Sequence, residues 1–298
     1  MVAGENDRTE RDVIGLDIGG SKTHGIRISR GKVVAEATAP SANVQNVSAG
    51  QAGEALERIF AELGSDGVAR VIAGAGGVDT DEDARRLASL IQPFVAGAQV
   101  DAIHDTRLIL AAGGATTGIA LIAGTGSVAW GADGAGRTAR AGGWGYLLGD
   151  EGSGYWIGRE AVRHALRQFN LGRRPDMLTH DLMEAAGVGS PEGLIAHFHN
   201  NSDRHYLAAQ SRLVFDAADA GQQESIDIID DAAAHLGALV ADVADQLELN
   251  GPVVAGGGLA VHQKRLQGGL SHHLGRHGLE EVHFLDRDPV YGVLTLLQ

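Results

Sequence analysis

Short apolar runs that end in glycine recur along the chain and predict buried β-strands. The first is Val13–Gly20, and two further strands follow around a turn at Arg30-Gly31. Helical spacing runs from about Ser48 to Leu63, and a buried strand covers 68–77. Helical spacing returns from Asp81 to about Ile91, and then "AQVDAIHD" and "TRLILAAGG" add a strand and a helix. The predicted order of this first half is therefore βββαβαβα.

The same pattern starts again at Thr117. The stretch "GIALIAGTGSVAWGAD" repeats the strand, glycine turn and strand of "VIGLDIGGSKTHGIRIS" about a hundred residues later. Mostly helical spacing over about 154–222 precedes a long amphipathic helix over 225–249. A strand before Gly256-Gly257-Gly258, a helix, a last strand and a helix begun by Pro289 complete the chain. We predict two α/β halves with a cleft between them.

The composition narrows the class of protein. A net charge of −14 disfavours binding to nucleic acid, because an acidic chain repels phosphate backbones. The 298 residues contain no cysteine, which excludes disulfides and thiolate sites and is consistent with a reducing cytoplasm. Residues 1–11 lack the apolar core of a signal peptide and are predicted to form a frayed tail. No apolar run reaches the roughly 18–20 residues of a membrane span.

A first glycine-rich turn, Asp17-Ile18-Gly19-Gly20-Ser21-Lys22-Thr23, has the composition of a phosphate site. Bare N–H groups beside hydroxyls and a lysine suit a polyphosphate, and a carboxylate at a strand end can hold Mg²⁺ through water. The alternative is an ordinary tight hairpin with a surface lysine. The turn is not a Walker A loop, because Gly15-x4-Gly20 is followed by Ser21 rather than lysine.

Two further glycine clusters fit a nucleotide. Gly124-Thr125-Gly126-Ser127, with Ala129, formally matches a dinucleotide-binding fingerprint. A strand rather than a helix follows, so a dinucleotide enzyme is disfavoured and we interpret this stretch as a second phosphate-gripping turn. Gly256-Gly257-Gly258 precedes a helix, where glycine lets a flat ring approach the backbone. A tight turn between strand and helix is the alternative.

Two acidic residues precede predicted helices. Asp105 follows a strand, and in isolation helix capping is its simplest interpretation. Asp150 lies in "AGGWGYLLGDEGSGYWIG", where aromatic residues stand on both sides of it: Trp144, Tyr146, Tyr155 and Trp156. Aromatic faces beside a carboxylate suit sugar recognition. The alternatives are helix capping by Asp150 or Ser153 and core packing by Trp156.

The stretches "GLDIGGSKT", "IAGTGS" and above all "GGWGYLLGDEGSGYWIG" resemble the N-acetylglucosamine kinase and BadF/BadG/BcrA/BcrD-type ATPase family of the actin/hexokinase/Hsp70 superfamily. The resemblance runs from about Val13 to the C-terminus. It implies an α/β fold of two RNase H-like (actin/hexokinase-type) domains, each a mixed five-stranded sheet with helices, flanking a nucleotide cleft. The implied domains are 1–117, on which a C-terminal helix 288–298 can pack back, and 118–298, with a helical insert at about 154–222.

The resemblance also implies an activity, which is ATP- and Mg²⁺-dependent phosphorylation of the 6-hydroxyl of N-acetylglucosamine or glucosamine. Asp105 would be the general base and Asp17 would lie near Mg²⁺. The implied nucleotide contacts are Gly19, Gly20, Ser21, Lys22, Thr23, Gly124, Thr125, Gly126, Ser127, Gly256, Gly257 and Gly258. The implied substrate-binding residues are Asn43, Gly76, Gly77, Gly143, Trp144 and Asp150.

Several alternatives stay open beside this activity. They are an ATPase of the same family without a sugar acceptor, a broad-specificity hexokinase, and a sugar sensor that does no chemistry. The family's activators of acyl-CoA dehydratases carry a cysteine-bound cluster, which a chain without cysteine cannot hold. The expected partner is a small amino sugar or hexose, with neither nucleic acid nor membrane. Dimers are common in the resembling family, so a homodimer is one open assembly state.

Overall fold

A computed structural model describes residues 12–201 and 203–298, so the predicted tail, residues 1–11, lies outside the described residues. The chain forms two compact units. The first contains the described residues up to Thr116 together with Leu285–Gln298, and the second is Thr117–Phe284. Among the described helices, none combines the length and hydropathy needed to cross a membrane.

The elements follow the predicted order in both halves. The first half contains β1 (Asp12–Ile18), β2 (Lys22–Ser29), β3 (Lys32–Pro40), α1 (Ala49–Leu63), β4 (Val68–Ala75), α2 (Asp81–Ile91), β5 (Gln99–His104) and α3 (Asp105–Ala112). The second contains β6 (Gly118–Ala123), β7 (Ser127–Ala132), β8 (Thr138–Gly142), α4 (Gly154–Asn170), α5 (Met177–Ala186), α6 (Gly193–Asn200), α7 (Arg204–Asp219), α8 (Gln223–Leu247), β9 (Val253–Gly256), α9 (Gly258–His262), α10 (Lys264–Arg276) and β10 (Val282–Phe284). A 3-10 turn, Pro289–Gly292, and α11 (Val293–Leu296) end the chain.

The two sheets have the same topology. In the first unit the strand order is β3-β2-β1-β4-β5, and in the second it is β8-β7-β6-β9-β10. In each sheet three antiparallel strands lead into two strands that run parallel to the first. The predicted fold class, two mixed five-stranded sheets with flanking helices, is therefore confirmed, and the two similar sequence stretches are equivalent hairpins, β1-β2 and β6-β7.

In the first unit, β1 alternates its side chains between two layers. Ile14, Leu16 and Ile18 are fully buried in the core that includes the apolar face of α1. On the opposite face Gly15 has no side chain, and a Cβ atom there would lie 2.7 Å from Cγ2 of Val293. The C-terminal segment therefore packs directly on the backbone of β1 and closes the second face of the sheet.

The helices of the first unit begin where their capping residues dictate. Ser48 caps α1 in a capping box with Gln51, and Thr80 caps α2 in the same way with Asp83. In each box the side chain accepts from a backbone N–H that has no partner within the helix. These reciprocal bonds explain why the sequence locates both helices to within a residue.

In the second unit, the long helix α8 lies on the sheet of β6 to β8. Its apolar face is fully buried at Leu236, Val240 and Val243. A Cβ atom on Gly131 of β7 would lie 2.6 Å from Cγ1 of Val243, so the helix touches the strand backbone. The four helices α4 to α7 occupy the segment predicted as a helical insert.

Candidate active site

The carboxyl ends of three parallel strands meet at one edge of the first sheet. β4 pairs in parallel with both β1 and β5, and the register aligns Asp17 with Gly74 and Gly74 with Ile103. The residues that follow the strand ends are thereby brought together, among them Gly76 after β4 and Asp105 after β5. In open α/β sheets this edge is where ligands bind.

Asp105 is not the cap of the helix that it begins. The N-cap of α3 is His104, whose Nδ1 accepts a hydrogen bond from the Thr106 N–H at 3.3 Å, and Asp105 is the first helical residue. The interpretation of Asp105 as a cap is therefore wrong. The reason is that the helix begins one residue earlier than a capping aspartate would require, directly after the last residue of β5.

The carboxylate of Asp105 has an oxygen without a partner. Oδ1 is buried and makes no hydrogen bond within the described residues. Nδ1 of His104 lies 3.0 Å from this oxygen, and it also lies 2.6 Å from the Thr106 hydroxyl oxygen and accepts from the Thr106 N–H at 3.3 Å. A buried acceptor left unpaired costs free energy, and a bound hydroxyl would satisfy it.

Asn43 and Gly76 form a wall beside this carboxylate. The Asn43 side chain is buried, and its Nδ2 donates to the Gly76 carbonyl at 3.0 Å. Its Oδ1 accepts from the Gln45 N–H at 2.9 Å, so both ends of the amide are held. Gly77 has a φ of 83°, and a Cβ atom there would lie 2.8 Å from Cγ of Gln45. The turn after β4 therefore requires glycine for both conformation and space.

The first glycine-rich turn is closed by short hydrogen bonds. The Gly19 N–H donates to the Lys22 carbonyl at 3.0 Å, and the Ser41 hydroxyl donates to the Gly19 carbonyl at 2.7 Å. The N–H groups of Gly20 and Ser21 make no hydrogen bond within the part of the chain that the structure describes. These two amides are available to an anion. Ser41, two residues before Asn43, was not predicted as a site residue.

Lys22 and Thr23 are both engaged within the first unit. The Thr23 hydroxyl is fully buried and accepts from the Ala42 N–H at 2.9 Å. Nζ of Lys22 lies 2.8 Å from Oδ2 of Asp288, the same oxygen that lies 2.7 Å from Nδ1 of His24. Asp288 was not predicted, because 266 residues separate it from Lys22 and only its place before a proline distinguishes it.

Asp17 is the most perturbed carboxyl of this cluster. Burial raises the pKa of Asp17 to about 7, and the negative charges of Asp105 and Asp288 add to the shift, while Lys22 opposes it. Three carboxylates at one sheet edge repel each other. A divalent cation would relieve this repulsion, so the donor set fits Mg²⁺.

The second hairpin directs its carbonyl groups towards α4. The Gly154 N–H donates to the Gly124 carbonyl at 2.8 Å, and the Tyr155 N–H donates to the Thr125 carbonyl at 3.2 Å. The N–H groups of Thr125 and Gly126 make no hydrogen bond within residues 12–201 and 203–298. The two hairpins thus share one property, a pair of adjacent free amides at the turn.

Asp150 is tied to this second hairpin. Its carboxylate is buried, and Oδ1 accepts from the Ser127 N–H at 3.3 Å. Burial raises the pKa of Asp150, and the hydrogen bond from Ser127 and the charge of Arg204 oppose that shift. The residue has a φ of 61°, which is uncommon for a side chain other than glycine and is found at functional sites.

Ser153, and not Asp150, caps α4. The Ser153 hydroxyl oxygen accepts from the Trp156 N–H at 3.2 Å. Trp156 is buried and packs in the core of the second unit, as one of the alternatives held. Capping by Asp150 is thereby excluded, and its carboxylate is explained only by the hairpin or by a ligand.

The segment before Asp150 is anchored at one end and exposed at the other. The Gly143 N–H donates to the Ser127 carbonyl at 2.9 Å, and Gly143 has a φ of 69°. The ring of Trp144 is 63 % exposed, with the Arg140 guanidinium 5.0 Å from its centroid. An exposed indole on a fixed turn is suited to contact a ligand.

The Gly256–Gly258 stretch lies against the same hairpin. Gly256 of β9 pairs with Ile122 of β6, and Gly257 has a φ of 90°. A Cβ atom on Gly257 would lie 2.5 Å from the Ala123 carbonyl oxygen, whereas one on Gly258 would meet nothing within 4 Å. Gly257 is therefore required by the fold, and Gly258 exposes its backbone to solvent.

The first turn of α7 also reaches this hairpin, and no local sequence pattern predicts this contact. Nδ1 of His205 lies 3.4 Å from Oγ1 of Thr125, and the charge of Arg204 acts on Asp150. Both residues come from the helical insert, whose packing no local pattern fixes. The candidate site residues therefore form one cluster in each unit. The cluster of the first unit surrounds Asp105, and that of the second surrounds Asp150.

Known proteins resemble this chain over most of its length. The family model described as the BadF/BadG/BcrA/BcrD ATPase family matches residues 14–280. An N-acetylmuramic acid/N-acetylglucosamine kinase from Clostridium acetobutylicum is 32 % identical over 251 residues, which is 80 % of each chain. An N-acetyl-D-glucosamine kinase from Dictyostelium discoideum is 31 % identical over 256 residues, again 80 % of each chain.

One solved structure extends the comparison to the fold. A candidate N-acetylglucosamine kinase from Chromobacterium violaceum superposes with a TM-score of 0.75 at 24 % identity. The superposition covers 97 % of this chain and 100 % of that one. At this level of identity the match shows a shared fold.

Proposed function

The chain belongs to the BadF/BadG/BcrA/BcrD ATPase family, and on that basis we propose that it is an ATP-dependent amino-sugar kinase. It transfers the γ-phosphate of ATP to the 6-hydroxyl of N-acetylglucosamine or glucosamine. Two curated relatives above 30 % identity are named as kinases of N-acetylated amino sugars. The observation that carries the proposal is the buried Oδ1 of Asp105, which makes no hydrogen bond within the described residues and lies at the ligand-binding edge of the first sheet.

Asp105 is the general base of this reaction. Its Oδ1 accepts the proton of the sugar 6-hydroxyl as the hydroxyl oxygen bonds to the γ-phosphorus and the bond to the β-phosphate oxygen breaks. Because Oδ1 makes no hydrogen bond within the described residues, it is available to accept from the sugar hydroxyl. A positioned base of this kind contributes roughly 10²–10⁴ in rate.

The sugar contacts are assigned to two sets of residues. Asn43, Gly76 and Gly77 act in the first unit, where the glycines leave the sugar room beside Asp105. Gly143, Trp144 and Asp150 act in the second. Asn43 has one N–H and one lone pair left after its two internal hydrogen bonds, which limits it to two ligand contacts.

The phosphate contacts are assigned to backbone amides. Gly20 and Ser21 in the first hairpin, and Thr125 and Gly126 in the second, offer N–H groups to the phosphates. Gly258 leaves space for the nucleoside. Gly19 and Gly124 shape the two turns, and Gly256 and Gly257 shape the βα turn, so they act through backbone position.

The side chains of Lys22, Thr23 and Ser127 support these turns rather than reach out from them. Lys22 pairs with Asp288, Thr23 holds the Ala42 N–H, and the Ser127 hydroxyl donates to the Glu151 carbonyl at 2.8 Å. Their contribution to nucleotide binding is therefore to hold the hairpins in shape.

Mg²⁺ is assigned to the carboxylate of Asp17. When bound, the ion neutralises charge on the β- and γ-phosphates. The chain's own contribution is the carboxylate cluster, in which burial and then the negative charges of Asp105 and Asp288 raise the pKa of Asp17. That repulsion makes a cation the natural partner of this sheet edge.

A coupled ADP-release assay against a panel of sugars tests the proposal, followed by ³¹P NMR to locate the phosphate on the product. We expect ADP release that requires N-acetylglucosamine or glucosamine, and a 6-phosphate product. Release without any sugar would favour an acceptor-free ATPase, and equal rates with plain hexoses would favour a broad hexokinase. Sugar binding by calorimetry without ADP release would favour a sensor.

A further inference from the structure

A cavity of about 460 Å³ opens beside β5, which is the edge strand of the first sheet. We call it the β5 cavity. It is lined by Arg70, Ile72, Ala84, Arg85, Ala88, Val100, Asp101, Ala102, Ile103, Arg107 and Leu296. Pockets that bind small molecules measure roughly 300–1,000 Å³, so the volume fits such a ligand. None of these residues belongs to the candidate active site.

Three arginines from three different elements converge on the β5 cavity. Arg70 comes from β4, Arg85 from α2 and Arg107 from α3. Nε of Arg70 donates to Oδ2 of Asp101 at 2.6 Å. The guanidinium groups of Arg85 and Arg107 make no hydrogen bond or ion pair within residues 12–201 and 203–298. The lining therefore carries two guanidinium groups that have no hydrogen-bond or ion-pair partner among the described residues.

This local charge is opposite to that of the molecule. The chain carries a net charge of −14, yet the lining of the β5 cavity holds three arginines and a single acidic side chain. A cleft lined by one sign of charge with apolar walls concentrates ligands of the opposite sign. An anion is the ligand class that this lining selects.

The apolar residues of the lining indicate that the anion also carries an apolar group. Ile72, Val100, Ile103 and Leu296 give the cavity apolar walls. A phosphomonoester carries nearly two negative charges at neutral pH, which matches two unpaired guanidinium groups. Arginine forks bind phosphate oxygens through paired hydrogen bonds. We propose that the β5 cavity binds a phosphorylated small molecule through Arg85 and Arg107.

The β5 cavity lies close to the segment that carries Asp105. In the sequence, the lining residue Ile103 lies two residues before Asp105, and Arg107 lies two residues after it. An occupant would contact the strand–helix junction that carries the candidate base. The proposal itself concerns binding alone and does not depend on the reaction that Asp105 performs.

Isothermal titration with phenyl phosphate tests the proposal without nucleotide, sugar or turnover. We compare the wild type with Arg85→Gln/Arg107→Gln and, as a matched control, Arg58→Gln, an exposed arginine on α1. We expect at least about tenfold weaker binding in the double variant, since hydrogen bonds to charged groups are lost, and no change in the control. Asp105→Asn should also bind as the wild type does, which separates the cavity from the candidate active site.

Three outcomes would overturn the inference. They are no binding of phenyl phosphate by the wild type, equal binding by the double variant, and loss of binding in Asp105→Asn. Tighter binding of phthalate than of phenyl phosphate would overturn the phosphate assignment.

Both arginines are exposed, and unfolding midpoints of the double variant and the wild type should coincide. Arg85→Lys/Arg107→Lys keeps the charge and should bind with intermediate affinity, which a folding defect would not produce.

Discussion

Gly76 presents bare backbone to the carboxylate of Asp105, because a Cβ atom on Gly76 would lie 3.1 Å from Oδ2 of Asp105. That distance is shorter than ordinary van der Waals contact, so any side chain at position 76 must displace the carboxylate. The relationship couples the turn after β4 to the residue that begins α3. It also leads to a sharp test of the assignment of the base.

We predict that Gly76→Ala lowers kcat about tenfold or more with little loss of stability, because small misplacements of a catalytic group are costly in rate. Steady-state kinetics and a urea unfolding curve measure the two effects. Gly53→Ala is the matched control, since nothing lies within 4 Å of a Cβ there. Unchanged kcat in Gly76→Ala would contradict the role given to Asp105.

Removing the base itself should have a larger effect. We predict that Asp105→Asn lowers kcat by at least about 10²-fold with modest change in ATP affinity, because only proton acceptance is lost. Asp66→Asn, an exposed aspartate before β4, serves as the control for a change of one charge. Near-normal turnover of Asp105→Asn would mean that another group is the base.

A variant of Asp150 distinguishes a direct contact with the sugar from structural support of the second hairpin. We predict that Asp150→Ala raises the KM for the sugar about tenfold or more and the KM for ATP far less, because a buried hydroxyl acceptor is lost. The neighbouring Glu151→Ala is the matched control. Equal increases in both KM values would show that Asp150 acts only through the Ser127 N–H.

Two adjacent glycines distinguish folding from binding. Gly257→Ala places a Cβ atom 2.5 Å from the Ala123 carbonyl oxygen at a φ of 90°, so we predict a loss of about 2–4 kcal/mol of unfolding free energy. Gly258→Ala meets no protein atom within 4 Å and should leave stability unchanged. If the nucleoside approaches Gly258, this variant weakens ATP binding several-fold in calorimetry. Unaltered ATP affinity in Gly258→Ala would contradict the assignment of this turn to the nucleoside.

Asp17 should make stability depend on pH in the absence of metal. Its folded pKa is about 7, while an unfolded aspartate has a pKa of about 3.9. Between these values the folded protein holds a proton that the unfolded chain releases, so stability falls as pH rises through that window. With chelator present, Asp17→Asn should raise the unfolding free energy at pH 8 by about 2 kcal/mol, after discounting for partial exposure, and much less at pH 5.

Urea unfolding at the two pH values measures this effect, with Asp66→Asn as the control. In the Asp66→Asn control, the unfolding free energy should change with pH as it does in the wild type. A variant at position 17 that retains the full pH dependence would show that Asp17 is already ionised in the folded protein.

Local chemistry explains what could be predicted from the sequence. The starts of α1 and α2 follow from the Ser48 and Thr80 capping boxes, and both hairpins follow from glycine turns between apolar runs. The fold class was predictable because these signals recur in the same order in both halves. The wrong interpretation of Asp105 as a cap shows the limit, since His104 takes that place and α3 begins one residue earlier, at Asp105.

Long-range contacts were beyond the sequence. Nothing near Lys22 indicates that its charge pairs with Asp288, and nothing in the helical insert indicates that His205 lies beside Thr125. Likewise, the composition of the first turn does not show that the Thr23 hydroxyl holds the Ala42 N–H. Such roles depend on which distant segments pack together, and residue type alone does not encode them.

The first unit is built from two segments that lie on either side of the second unit in the sequence, and this sets an order on its assembly during translation. Val290 and Val293 are fully buried in its second core layer, and Asp288 pairs with Lys22. A ribosome that has made the first sheet must still synthesise the whole second unit before these side chains emerge. The second unit can therefore mature as a continuous segment, whereas the first stays incomplete until the segment that contains Asp288, Val290 and Val293 has left the ribosome.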